Sequence, residues 1–316
     1  SSWTETADLN TSRHFLMDAG NATNALAFGG GDGSGVKSET ESWNGSAWTE
    51  TADLNSGREY GMGSGTYTSA LAYGGIASPR ALTESWNGSA WTEVSDLNTV
   101  RDFLAGSGES NTASLAFGGE INPTTTTAAT ESWNGSSWTE VGDLNTARRL
   151  LTGAGTATAA LAIGGNGANA ETEAWNGSAW YEVNDLNTGR EQIAGFGADN
   201  TAAIAAGGNA PPKVANTELW NGSVWTEVND LTTARSDAGS AGTSTTGIIA
   251  AGSLASGKST ATEEWNTGIT LGAWVTGANG NTARGNLAGA GTSTSTLAFG
   301  GFSPAFAPPN DDRTRP

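Results

Sequence analysis

The stretch Glu131-Ser132-Trp133-Asn134-Gly135-Ser136-Ser137-Trp138-Thr139-Glu140 continues through Asp143-Leu144-Asn145-Thr146-Ala147 to Arg148. Two tryptophans bracket an Asn-Gly pair. Asn-Gly between short apolar runs is a strong hairpin signal, because a type I′ turn needs positive φ at both central residues. The same pair stands at Asn44-Gly45, Asn87-Gly88, Asn176-Gly177 and Asn221-Gly222. Read as a two-residue loop, Asn44-Gly45 places Trp43 opposite Ser46 and Glu41 opposite Trp48. Trp43 and Trp48 are then diagonal neighbours on one bulky face, with Ser42 and Ala47 on a small one.

Outward from this stretch the chain repeats itself, and a repeat has to be read before any single element. One tryptophan series is Trp3, Trp48, Trp91, Trp138, Trp180, Trp225 and Trp274. Ten residues after each stands an arginine: Arg13, Arg58, Arg101, Arg148, Arg190, Arg235 and Arg284. A small-apolar run ending in Gly-Gly follows, as at Leu26 to Gly30 and Leu161 to Gly165; the sixth copy, Ile248 to Gly252, has Ala251 in place of the first Gly. The other tryptophan series, Trp43, Trp86, Trp133, Trp175, Trp220 and Trp265, precedes the turn. The period is 42 to 49 residues. Helical solenoids share that length but need apolar residues at helical spacing, which is absent here; short alternating runs separated by Gly read as strands. Each unit parses into four: strand a after the arginine, strand b before Gly-Gly, strand c ending at one Trp and strand d starting at the next. The glycines of strand a, such as Gly106, Gly108, Gly153, Gly155, Gly289 and Gly291, suit a place where backbones crowd.

Composition narrows the function classes. Gly is 46 of 316 residues, and 14 Lys+Arg face 32 Asp+Glu for a net charge of −18. Such a surface cannot neutralise phosphates, so nucleic acid is not an expected partner. No Cys is present, which removes disulfides and thiolate metal sites. No apolar run reaches the length of a membrane-spanning helix. The chain opens without Met or a signal-peptide pattern, which reads as a processed end or an excerpt.

The Arg, the Gly-Gly pair and two spaced aromatics near a turn, recurring at this period, resemble the kelch repeat. That resemblance implies a β-propeller with one four-stranded antiparallel blade per repeat. The local wording of residues 131–140 and 143–148 also resembles repeats in virion structural proteins of marine tailed phages. The expected fold is therefore all-β: a seven-bladed propeller over residues 1–301, with residues 1–7 completing the last blade because Ser1-Ser2-Trp3-Thr4-Glu5 matches Ser136-Ser137-Trp138-Thr139-Glu140. Only six copies of strand c can be counted, so the third strand of the last blade has no clear sequence. The Pro-rich tail 302–316, a missing upstream segment or a neighbouring chain would fill it, since an open slot exposes strand edges.

The side chains offer little catalytic chemistry. His14 is the only histidine, too few for a zinc site or a Ser-His-Asp triad. The kelch-type copper oxidases need several His and Tyr ligands that are missing here. The seven repeat arginines read as structural, fixing the register between blades, rather than as a cationic ring around the channel. Three acidic rows recur: Glu41, Glu84, Glu131, Glu173, Glu218 and Glu263; Glu5, Glu50, Glu93, Glu140, Glu182 and Glu227; and Asp8, Asp53, Asp96, Asp143, Asp185 and Asp230. They read as a solvated repeated surface. All 13 Trp are absorbed by the repeat; Tyr67, Phe302 and Phe306 stand most clearly outside it. The Asn-Gly-Ser triplets read as turns rather than glycan acceptors. No catalytic residue, metal ligand or cofactor is expected.

Variation is concentrated in the b–c loops, which leave one rim of the disc because strands alternate in direction. They carry the candidate binding residues Asp32, Lys37, Arg80, Asn122, Lys213 and Lys258, including every lysine of the chain. Varied loops on a rigid scaffold are the usual seat of specificity. The expected role is a non-enzymatic structural or adhesive propeller of a virion or extracellular assembly. Its partners would be other protein chains, including further copies joined by strand complementation at the last blade, or a glycan or surface receptor. A carbohydrate- or protein-binding propeller of a bacterial surface is the alternative, and a propeller enzyme the remote one. One departure lies on the opposite rim: Trp265 and Trp274 are nine residues apart instead of five, around Thr267 to Gly272.

Overall fold

The computed structural model describes residues 2–76, 80–267, 288–292 and 295–299. The chain forms two compact units, 1–268 and 269–316. The described residues are strands, turns and loops without a helix. The first unit holds six four-stranded antiparallel sheets, not seven. In order from strand a to strand d, the first blade is Met17–Gly20, Ala25–Phe28, Thr40–Trp43 and Trp48–Glu50. The next four blades follow the same plan, with strand a at Met62–Thr66, Ala105–Ser110, Thr152–Gly155 and Ala194–Asp199.

The sixth blade explains the missing seventh. Its chain-sequential strands are Gly239–Gly242, Thr246–Ala250 and Thr262–Asn266. Its outer strand is Ser2–Thr6, paired along its whole length, with Trp3 opposite Trp265. The N-terminal strand thus completes the blade of Trp265, one repeat earlier than the sequence parse placed it. Two segments match an outer strand in sequence, residues 3–5 and the segment at Trp274. The second unit contributes the hairpin Ala288–Thr292 with Ser295–Phe299, equivalent to strands a and b of a blade. Trp274, Arg284, the expected open strand slot and the tail 302–316 lie outside the described residues.

The Trp hairpins differ from expectation in register. Trp43 pairs directly with Trp48, and Glu41 with Glu50. The connection is a four-residue loop in which Asn44 Oδ1 accepts hydrogen bonds from the Ser46 and Ala47 amides, and positive φ falls on Gly45 but not on Asn44. The Asn side chain closes the turn itself, so a type I′ backbone is not needed. Both rings still share one face, with centroids 5.3–5.4 Å apart in every blade. That face packs on the small residues of the preceding blade. Trp43 and Trp48 meet Ala241, Ile248 and Ala250 of blade six. Each outer Trp also donates Nε1–H to a Thr hydroxyl of the preceding blade at 3.1–3.2 Å, as Trp138 does to Thr83. Burying each ring stabilises the fold by roughly 2–3 kcal/mol, so these interblade layers are the core.

The six described repeat arginines are buried, with 0–2% of their surface exposed. Each pairs with the Glu two residues before the inner Trp, at 2.8–2.9 Å in five blades and in close contact between Arg58 and Glu84. Arg13 also donates to the carbonyls of Gly29 and Glu39, while Asn10 donates both its amide and its side chain to Glu41. This corrects the reading of that Glu row as solvated surface. A buried charge persists when it is paired and hydrogen-bonded, and each unit supplies Glu, backbone carbonyls and usually Asn around its Arg, with the Nε of Arg13, Arg101, Arg148, Arg190 and Arg235 left without a hydrogen-bond partner. The exposed Asp row also makes a structural contact: in five blades its carboxylate accepts the backbone amide of the Thr three residues before the inner Trp, at 3.0–3.2 Å. The Glu5 to Glu227 row and the Asp8 to Asp230 row are both solvent-exposed, as expected of them from the sequence.

Strand a forms the inner ring. A Cβ on Gly153 would lie 2.1 Å from the Gly106 carbonyl of the neighbouring blade, so the close approach of inner strands demands glycine there.

Candidate functional site: the channel mouth

Two residues beyond each buried arginine, just before strand a, stands a residue forced into the left-handed region. These are Phe15, Tyr60, Phe103, Leu150, Gln192 and Asp237, with φ of 52–59°. Such a conformation is costly for a bulky non-Gly residue. The compensation is a closed belt of hydrogen bonds. Each amide donates to the carbonyl of its counterpart in the preceding blade: Tyr60 to Phe15, Phe103 to Tyr60, Leu150 to Phe103, Gln192 to Leu150, Asp237 to Gln192 and Phe15 to Asp237, at 2.8–3.3 Å. The last of these bonds joins blade one to blade six and closes the ring at six.

The belt holds six half-exposed side chains around the mouth of the channel. They line a cavity of about 110 Å³ that also reaches Asp18, Thr152 and Ser240 on the inner strands. The backbone is nearly six-fold; the side chains are not. Three successive blades give an aromatic arc, with Phe15 and Tyr60 centroids 3.9 Å apart and Tyr60 and Phe103 4.1 Å apart. Leu150 and Gln192 follow, and Asp237 completes the circle.

The acids at the mouth are perturbed by burial. Asp18 accepts the Ser240 amide at 2.9 Å; desolvation pushes its pKa up to about 7 against that bond. Asp237 is also pushed up to about 7 by burial, opposed by the Ser236 hydroxyl and by Lys213. Asp102 is fully buried beside Arg80, 3.1 Å away; burial raises it to about 6 while Arg80 pulls it down. His14 lies against Phe15, its ring centroid 4.2 Å away, and is held below its usual pKa by burial and then by Lys258 and Lys213.

A carboxyl whose pKa is raised on folding favours the folded state at low pH, and that advantage is lost as pH rises through the folded value. Asp18→Asn keeps an acceptor for Ser240 and removes the ionisation. It is expected to lie close to the parent near pH 4 and to be more stable at pH 8 by up to about 4 kcal/mol. Thermal unfolding across this range checks it, and a difference independent of pH would refute the assignment to Asp18.

The loop residues singled out in the sequence gather on the same rim, because residues after Gly-Gly pair with residues after the repeat arginine, as Gly31 does with His14 and Asn209 with Glu191. They do not form one cluster. Lys37 is engaged by Asp32 of its own loop at 2.9 Å. Arg80 reaches over to Asp102 of the next blade. Asn122 closes its own loop by accepting from Thr124. Lys213 donates to Ser236 at 2.8 Å, beside Asp237. Lys258 crosses to the first blade, close to Gly33. Ala77, Ser78 and Pro79 lie outside the described residues. The belt residues themselves went unread in the sequence. Their signal was available: the second position after the seven repeat arginines reads Phe, Tyr, Phe, Leu, Gln, Asp, Asn inside a repeat that is otherwise nearly constant.

Fold and mouth together define the class: a β-propeller of four-stranded blades with one rim made chemically asymmetric. The chain matches no protein-family model, and it matches no curated protein.

Proposed function

We propose that this chain is a non-enzymatic binding propeller, a structural or adhesive module of an extracellular or virion assembly, which engages another protein through the rim that carries the mouth and the b–c loops. The observation that supports this reading is the distribution of variation. Trp, Arg, Glu and Thr repeat almost unchanged where blades meet, while the belt side chains and b–c loops vary from blade to blade on a single rim. A fixed scaffold presenting variable positions is the arrangement that binding proteins use. The kelch-like and phage-like flavour of the repeats belongs to the same proposal, as does assembly with further copies through the seventh repeat.

The test is capture of protein partners from the assembly in which the chain is made. Replacing Asn122 to Thr125 and Asp32 to Gly35 with short Gly-Ser loops is expected to abolish capture. Replacing Ser89 and Ser136 on the opposite rim is expected to leave it intact. Capture that survives the loop exchange but fails with the opposite-rim changes would overturn the reading. A purely glycan-array signal would favour the carbohydrate-binding alternative, for which the aromatic arc is the supporting observation.

A further inference from the structure

We propose that the channel mouth is a receptor for a single organic cation, the ammonium or guanidinium end of a Lys- or Arg-bearing segment of the partner protein. This rests on the binding reading above and names the ligand chemistry of that rim. Three observations converge on it. The charged side chains that line the cavity are Asp18 and Asp237, both acids, with no Lys, Arg or His among the lining. Beside them, starting at Phe15 on the same seam, runs the arc of Phe15, Tyr60 and Phe103, whose rings stack on one another and give the mouth an apolar wall. The chain itself already places a cation on that arc: the Arg149 guanidinium lies 5.7 Å from the centroid of Phe103.

The depth of the site suits a long side chain rather than a small ion. Asp237 stands on the belt at the entrance. Asp18 lies further in on strand a, its carboxylate tied to Ser240 at the seam between blades one and six. A flexible apolar stem can lie along the aromatic arc and Leu150 while its charged head reaches the carboxyls. The two carboxylates are complementary to positive charge and repel an anion. Lys213 and Lys258 stand outside the lining, one bonded to Ser236 and the other beside Gly33, so they flank the entrance without filling it.

The test uses short peptides on the full chain: Gly-Gly-Lys-Gly-Gly and Gly-Gly-Arg-Gly-Gly against the norleucine analogue, which keeps the stem and lacks the charge. Binding is read at pH 8 by calorimetry and by perturbation of the Phe15, Tyr60 and Phe103 ring signals. The charged peptides are expected to bind at least tenfold more tightly than the norleucine peptide. Asp237→Asn is expected to remove most of that preference, while Glu140→Gln, on the exposed outer row, leaves it unchanged. Asp18→Asn serves as a second probe should Asp237→Asn fail to fold. Equal binding of norleucine and Lys peptides, or a preference untouched by both Asp variants, would overturn the cation site. Loop-dependent capture of a partner together with no peptide preference would overturn this inference alone and leave the binding function standing. Capture that survives the loop exchange and fails with the opposite-rim changes, with peptide preference retained, would do the reverse.

Discussion

Trp138→Ala is expected to lower the unfolding free energy by about 3–5 kcal/mol, the range for removing a buried aromatic ring. The ring is 5% exposed. It lies 5.4 Å from Trp133 in its own blade and 4.9 Å from Tyr73 in the preceding one, so its removal empties the layer between two blades. The neighbours are strands fixed in separate sheets and cannot easily collapse into the gap. The substitution also strands the Thr83 hydroxyl that receives the indole hydrogen bond at 3.1 Å. Thr83→Val separates the two contributions: it leaves the packing nearly intact and removes the acceptor, and it should cost only about 1 kcal/mol. Denaturant unfolding of both variants measures the pair. A Trp138→Ala loss below that of Thr83→Val would mean that the interblade layer does not carry the stability of the ring.

Much of this architecture was legible because its determinants repeat. Trp, Arg and Gly-Gly recur at fixed offsets, and each offset corresponds to one physical job: interblade packing, a buried ion pair, a strand end. The blade number was harder for a specific reason. Trp3 and Trp274 both carry the outer-strand residue, and which of them lies opposite Trp265 is decided by a pairing across the whole chain that no local pattern encodes. The Asn-Gly turns misled by one register step because the Asn44 side chain, rather than a positive φ at Asn44, closes the loop. The Glu41 to Glu263 row looked solvated because a charged residue in a polar context is normally exposed; its burial depends on an Arg that is distant in sequence and adjacent in space. The belt was overlooked because comparison of repeats rewards sameness. Phe15, Tyr60, Phe103, Leu150, Gln192 and Asp237 share a backbone conformation but run from aromatic to apolar, amide and acid, so the position that distinguishes this propeller was the one the repeat pattern discarded.

Removal of Ser1 to Thr6 should have an effect as large as loss of a core Trp, and it probes a different property. The deletion takes away the outer strand of blade six, with five paired residues. It also removes the Trp3 ring that stacks on Trp265 at 5.3 Å and meets Phe196 of blade five edge-on at 6.5 Å. The indole bond to Thr217 is lost as well. Burial of that ring alone accounts for roughly 2–3 kcal/mol. The strand Thr262–Asn266 would then become an open edge with an uncovered Trp265, a template for pairing with another chain. The truncated chain is therefore expected to unfold at least 10 °C lower and to self-associate, read by thermal unfolding and by light scattering. Added peptide Ser-Ser-Trp-Thr-Glu-Thr should restore a monomeric, stable ring, and the same peptide with Ala for Trp should not, because register without the indole leaves the layer empty. The belt gives an internal control: the Phe15 amide bond to Asp237 closes the inner ring independently of strand d, so truncation should loosen the outer edge of blade six before it opens the mouth. A truncated chain with unchanged stability and unchanged association state would mean that a segment other than Ser2–Thr6, with Trp274 the nearest in sequence, pairs with Trp265, and the six-bladed closure would have to give way to the longer parse.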